Sequence, residues 1–155
     1  MIGLAQKLIP LPRGAAGLAL EGNTLRVLAA DDSAAQAYLE QVRAAWLDIV
    51  RAEAERYLYT NATASFRRIR EELAEAQEAE SLGVPPPGGR SSAELQALIQ
   101  QGQAAFKQVY QAVQDAASVA EINAALDGAR QQGLDWLVGL DWQPYPETCP
   151  WTWAT

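Results

Sequence analysis

Between Leu39 and Ala76 the apolar and small positions recur at steps of three or four residues without interruption. They are Leu39, Val42, Trp46, Val50, Ala54, Leu58, Ala62, Phe66, Ile69, Leu73 and Ala76. Only a helix brings positions with that spacing onto one face. Ten steps cover 37 residues, a mean of 3.7. That lies closer to an eleven-residue repeat than to a heptad, and suits a nearly straight helix rather than a left-handed supercoil. Asp31, Asp32 and Ser33 supply acids and an N-cap, so the pattern predicts one helix over 34–81. Thr60, Asn61 and Thr63 are weak helix formers near its middle, and a break there would split it in two.

Beyond Ser81 the chain must turn and then form more helix. Gly83 and the run Pro85-Pro86-Pro87-Gly88-Gly89 end the first helix, because proline offers no amide hydrogen and the glycines allow a turn. Ser91 and Glu94 form a capping box opening a second helix, with Leu95, Ile99, Gly102, Phe106, Val109, Val113 and Ala116 in strict four-three alternation. Ser118 and Glu121 repeat the signal for a third helix, whose stripe is Val119, Ile122, Leu126, Ala129, Gly133, Trp136 and Leu140. So short a connection makes antiparallel neighbours, and an αα-hairpin is expected. Gly128, Gly133 and Gly139 weaken its second arm.

The two ends read differently. Residues 1–16 hold Pro10, Pro12, Gly3 and Gly14 without helical period, and are read as an extended arm. Leu18, Leu20, Leu25 and Val27 flank Glu21-Gly22-Asn23-Thr24, which predicts a short β-hairpin. A lone hairpin is barely stable in water, so this one must pack on helices or join a partner's sheet. From Asp141 to Thr155 there are three prolines and four large aromatics, and regular helix is excluded. The expected fold class is therefore mainly α: a long helix plus an αα-hairpin in a helical bundle, a small N-terminal β-hairpin and an extended aromatic C-terminal arm. The segments are 1–32 (arm and hairpin), 33–82 (long helix), 83–91 (Pro/Gly linker), 92–140 (αα-hairpin) and 141–155 (docking tail).

Composition narrows the function. Acids outnumber bases by 19 to 12, for a net charge of −7, which argues against nucleic acid as a partner. The tightest basic group, Arg67, Arg68 and Arg70, is followed at once by Glu71 and Glu72, and reads as a solvated helix face with i,i+4 ion pairs. No apolar run approaches the roughly 18 residues that span a bilayer, and the first twelve residues lack a signal-peptide core. A cytoplasmic product, or one assembled in a host cytoplasm, is expected.

The catalytic inventory is thin. There is no His, so Ser-His-Asp and Cys-His sites cannot be built and the commonest metal ligand is missing. One Cys cannot make a structural zinc site. Glu53, Glu55, Glu71, Glu72, Glu75, Glu78 and Glu80 lie on the long helix and are read as surface acids. A carboxylate metal site or small enzyme built on them stays as an alternative. Asn61-Ala62-Thr63 matches a glycosylation sequon but falls inside a helix, and is set aside. No enzyme activity and no cofactor are expected.

The aromatic tail is the sharpest feature, because Trp and Tyr dominate interface hot spots. It either folds back over its own helices or enters a groove on a neighbour. The candidate partner-binding residues are Leu20, Leu25 and Val27 at one end, and Trp142, Tyr145, Pro146, Trp151 and Trp153 at the other. Cys149, inside the tail, is read as an inert buried thiol, with an intermolecular disulfide as the alternative.

The segment Leu137-Val138-Gly139-Leu140-Asp141-Trp142-Gln143-Pro144-Tyr145-Pro146-Glu147 comes after a helix that carries Arg130. It resembles the C-terminal motif of small bacteriophage tail and tail-fibre assembly proteins, in which an Arg- and Leu-bearing helix ends in Asp-Trp and a Pro followed by an acid comes three residues later. Asp141, Trp142, Pro146 and Glu147 carry the match, which covers under a fifth of the chain. Gln143 departs from it by standing directly after the Trp. The resemblance implies a virion part beside a fibre or baseplate, or an assembly chaperone, and no catalysis. The expected partners are protein: further copies of the chain, a trimer among the candidates, and neighbouring subunits.

Overall fold

A computed structural model of the chain describes residues 1–28 and 31–153. Ala29 and Ala30, after the hairpin, and Ala154 and Thr155, at the end of the aromatic tail, lie outside the described residues. The elements are α1 (Ile2–Leu8), β1 (Gly17–Glu21), β2 (Thr24–Leu28), α2 (Asp32–Ala44), α3 (Trp46–Ser81), α4 (Ser92–Asp115), α5 (Val119–Gln131), α6 (Asp135–Val138) and β3 (Thr152–Trp153). The protein is mainly α, with a long helix and a small sheet. It divides into two compact units, neither continuous in sequence. One is Met1–Ala54, Ala116–Asn123 and Pro144–Thr155; the other is Glu55–Asp115 and Ala124–Gln143.

In the first unit the hairpin forms as expected, with Leu20 opposite Leu25 and Gly22 in the left-handed region at the turn. A third strand joins it: β3 pairs in parallel with β2, Thr152 beside Thr24 and Trp153 beside Leu25. The hairpin is thus steadied by the chain's own tail. The expected extended arm over 1–16 is corrected, since α1 occupies Ile2–Leu8. Ala5 and Ile9, four apart, are buried, and the Tyr38 hydroxyl sits at hydrogen-bond distance from both their carbonyls (3.3 and 3.1 Å). The Ala5 carbonyl already accepts the Ile9 amide, so what the hydroxyl satisfies is the Ile9 carbonyl, which the helix end leaves open; burial pushes the Tyr38 pKa up. Pro10 then forces Ile9 into extended geometry, φ −124° and ψ 110°.

The expected long helix is interrupted, but not where weak formers predict. Asp31 caps α2 through its carboxylate on the Ala34 amide (2.8 Å). The interruption falls at Ala45, φ −99° and ψ 12°, whose amide is shared between the carbonyls of Gln41 and Val42. Nothing local demands a break at alanine. The adjacent Trp46 donates its indole N–H to the Pro146 carbonyl (2.8 Å) and meets Trp151 edge-on at 5.3 Å, so the tail fixes its position. Thr60, Asn61 and Thr63, by contrast, lie in unbroken helix. Of the stripe from Leu39 to Ala76 every member but Leu73 is buried.

In the second unit Gly83 and Gly133 end α3 and α5 in left-handed conformation. Val84 and Gly83 donate to the carbonyls of Ala79 and Glu80, while Leu134 and Gly133 donate to those of Ala129 and Arg130. Both are the double-bond helix stop that favours glycine. The third helix, expected to reach Leu140, therefore ends at Gln131, and a single short turn, α6, comes after it. Ile69, Ala76 and Leu95 form a core between α3 and α4, flanked by Leu73, Leu98, Ile99 and Trp136.

Candidate functional site

A second, polar stripe runs down α3 in the second unit: Tyr57, Asn61, Ser65, Arg68 and Glu72, again at steps of four and three. Most of its members reach a segment far along the chain. Tyr57 is at hydrogen-bond distance (3.2 Å) from the Asp141 carboxylate. Asn61 donates to the Val138 carbonyl (2.8 Å), and the Ser65 hydroxyl donates to the Trp136 carbonyl. These two bonds satisfy carbonyls of α6, too short a helix to satisfy its own. Glu72 is held by both Arg90 Nε (3.0 Å) and Arg90 Nη2. The Arg90 guanidinium pulls the Glu72 carboxyl below its ordinary range and is itself pushed up.

Arg68 is the exception. The expected i,i+4 pair with Glu72 does not form, because Arg90 has taken the carboxylate. Among the described residues the one bond of Arg68 is from Nη2 to the Ser65 hydroxyl oxygen, at 3.3 Å. Arg67 makes no ion pair among the described residues either, and Arg70 lies over the Phe66 ring, 5.6 Å from its centroid.

Two clefts share Ser65, Arg68 and Trp136. One, of about 420 Å³, continues past Ile69 and Leu98 to the Glu72–Arg90 pair. The other, of about 520 Å³, continues past Asn61 and Asp135 to Leu140. Their common wall, Trp136, is closely packed from behind. Trp136 meets Phe66 edge-on at 5.7 Å, and a methyl group on Gly102 would collide with its ring.

Most of the residues expected to bind partners are turned inward. Leu25, Val27, Trp142 (4% exposed) and Trp151 (5% exposed) are buried. Leu20, Tyr145 and Trp153 are half-buried, and Pro146 is exposed while its carbonyl holds Trp46. Asn123 grips the tail twice, accepting from the Tyr145 amide and donating to its carbonyl, both at 2.9 Å. Of the two readings of the tail, the described residues adopt the one in which it folds back. Cys149 is half-buried in a cleft of about 510 Å³ with Arg43, Trp46 and Ser118. Burial pushes its thiol up, against smaller lowering effects from the Trp151 backbone and Arg43.

Sequence reasoning missed the polar stripe. Its signal was the spacing 57, 61, 65, 68, 72, obscured because Asn61 drew notice only as a sequon and helix breaker. No group of three His, Cys, Asp or Glu side chains that could hold a metal occurs among the described residues, and no helix there is long and apolar enough to cross a membrane. No protein-family model, curated protein or solved structure matches the chain.

Proposed function

We propose that the protein is a non-enzymatic structural or adaptor subunit of a larger protein assembly. A phage tail, baseplate or fibre attachment is the setting implied by the resemblance of Asp141, Trp142, Pro146 and Glu147. The observation that carries the reading is the use made of polar side chains. Tyr57, Asn61, Ser65, Glu72 and Asn123 are each spent on tying a distant segment in place. A reacting centre would instead aim such groups at a common point in a cavity. Ties of this kind fix segments within each unit, so that each presents a defined surface, as an assembly part needs. Further copies of the chain and neighbouring subunits are the partners in this reading, and the virion is its place.

The test is the mass of the full chain in solution by light scattering, over a wide concentration range, and then mixing with the proteins encoded beside it. A discrete homo-oligomer, or co-elution that persists in a purified particle, supports a structural subunit. Co-elution with a fibre protein that is lost from the finished particle would replace it with an assembly chaperone. A monomer that joins nothing would remove the reading.

A further inference from the structure

We propose that the paired clefts around Ser65, Arg68 and Trp136 are where a partner protein docks an extended segment, its carboxylate on Arg68 and an apolar side chain against Trp136 and Leu140. This rests on the assembly reading and gives it a surface other than the terminal arms, whose aromatics are largely committed within the chain.

Charge complementarity comes first. A guanidinium carries five N–H donors in a planar fork suited to a carboxylate. Arg68 spends one, on a long bond to Ser65, and among the described residues it meets no carboxylate. Its neighbour Glu72 is engaged by Arg90, which leaves the Arg68 cation without that carboxylate. With a net charge of −7 the chain repels acidic polymers at large. Only a segment that delivers its carboxylate directly to Arg68 gains.

Apolar exposure comes second. Leu140, 75% exposed, is the most exposed large apolar side chain among the described residues, and it lines one of these clefts. Trp136 supplies an apolar wall, packed from behind by Phe66 and by the close approach of Gly102. Arg and Trp side by side in a concave site are what interface hot spots are made of. Asp135, in the same cleft as Leu140, receives an N–H donor of the segment and so gives it a direction.

The full chain, labelled with nitrogen-15 at its tryptophan indoles, is titrated with a short capped peptide of alternating leucine and glutamate, and with its glutamine counterpart. The expected result is a saturable shift of the Trp136 indole. Affinity falls by about tenfold for the glutamine peptide and for the Arg68→Glu protein, and also falls for Leu140→Ser. Both substituted side chains are exposed, so the other indole signals stay in place. An unmoved Trp136 signal, or a shift that survives Arg68→Glu and Leu140→Ser alike, overturns the proposal. Self-association abolished by Arg68→Glu would overturn it in favour of a second copy as the occupant. Peptide binding by a protein that joins no assembly leaves the site standing and removes the assembly reading; assembly indifferent to Arg68→Glu does the reverse.

Discussion

Asn123 holds the tail with both ends of its amide, the oxygen accepting from the Tyr145 amide and the nitrogen donating to the Tyr145 carbonyl. Asn123→Ala leaves the Tyr145 amide and carbonyl without those partners. It is expected to cost about 1–3 kcal/mol, seen as a lower denaturant midpoint with faster amide exchange at Tyr145. Gly102 poses an opposite balance. Alanine there would gain about 1 kcal/mol of helix propensity, but its methyl meets the Trp136 ring and lies 3.0 Å from Phe66 Cε1. Overpacking against rigid rings costs about 1–3 kcal/mol, so Gly102→Ala is expected to destabilise by about 1 kcal/mol net, with Trp136 near-ultraviolet dichroism altered. Cys149, its thiol pushed up by burial, stays protonated at neutral pH. Alkylation by iodoacetamide should be slower than for a free thiol and should accelerate on denaturation.

At the level of elements, α4 is started by α3. Ser91 caps its own helix through the Glu94 amide (3.1 Å), while Glu80 accepts from the Ser92 amide and hydroxyl (2.9 and 2.7 Å). The Ser92 backbone and side chain, in that order, hold the Glu80 carboxyl below its ordinary 4.5, as Arg90 does for Glu72. A carboxyl depressed in the folded state stabilises fully above its unfolded value and loses that contribution as pH falls through the folded one. Acidification below pH 4.5 should therefore release the α4 start and the Pro85–Pro87 turn before the helical core. Hydrogen exchange at Ser92, rising in acid ahead of Leu95, would show it. In Glu80→Gln, Ser92 exchange should lose most of that acid dependence, and retention of the full dependence would count against this anchor.

For the molecule as a whole, the tail up to Trp153 is part of the first unit's interior. Trp151 packs on Trp46, Pro146 holds the same indole, and β3 widens the sheet. Trp151→Ala is expected to cost about 3–5 kcal/mol, read from equilibrium unfolding. A protein ending at Leu140 should lose cooperative unfolding in the first unit, which lacks Trp151 and β3, and in the second, which lacks Trp142. If it instead unfolded as sharply as the full chain, the tail would be an accessory and the docking-arm reading would regain its force.

The sequence by itself determined the helices and most of their faces. Burial follows a 3.6-residue period, and the residues from Leu39 to Ala76 and Leu95 to Ala116 encode it directly. It also determined the starts at Ser91 and Ser118, the first helix start to within the run Asp31-Asp32-Ser33 (Asp31 is the residue that caps it), the Pro/Gly stop and the hairpin turn, all set by contacts a few residues long. The candidate site was half legible: the polar spacing on α3 was visible, but its partners were not. Only tertiary structure decided that α1 forms, because the Tyr38 hydroxyl reaching its end lies 29 residues beyond Ile9. It decided that the break falls at Ala45 rather than Asn61, because Pro146 positions Trp46 while the Val138 carbonyl holds Asn61 within unbroken helix. And it decided that Arg68 is left over, because Arg90, 18 residues past Glu72, wins the carboxylate that local spacing had assigned to its neighbour. A pattern within a few turns can state which groups need partners; which distant group supplies one depends on chain closure.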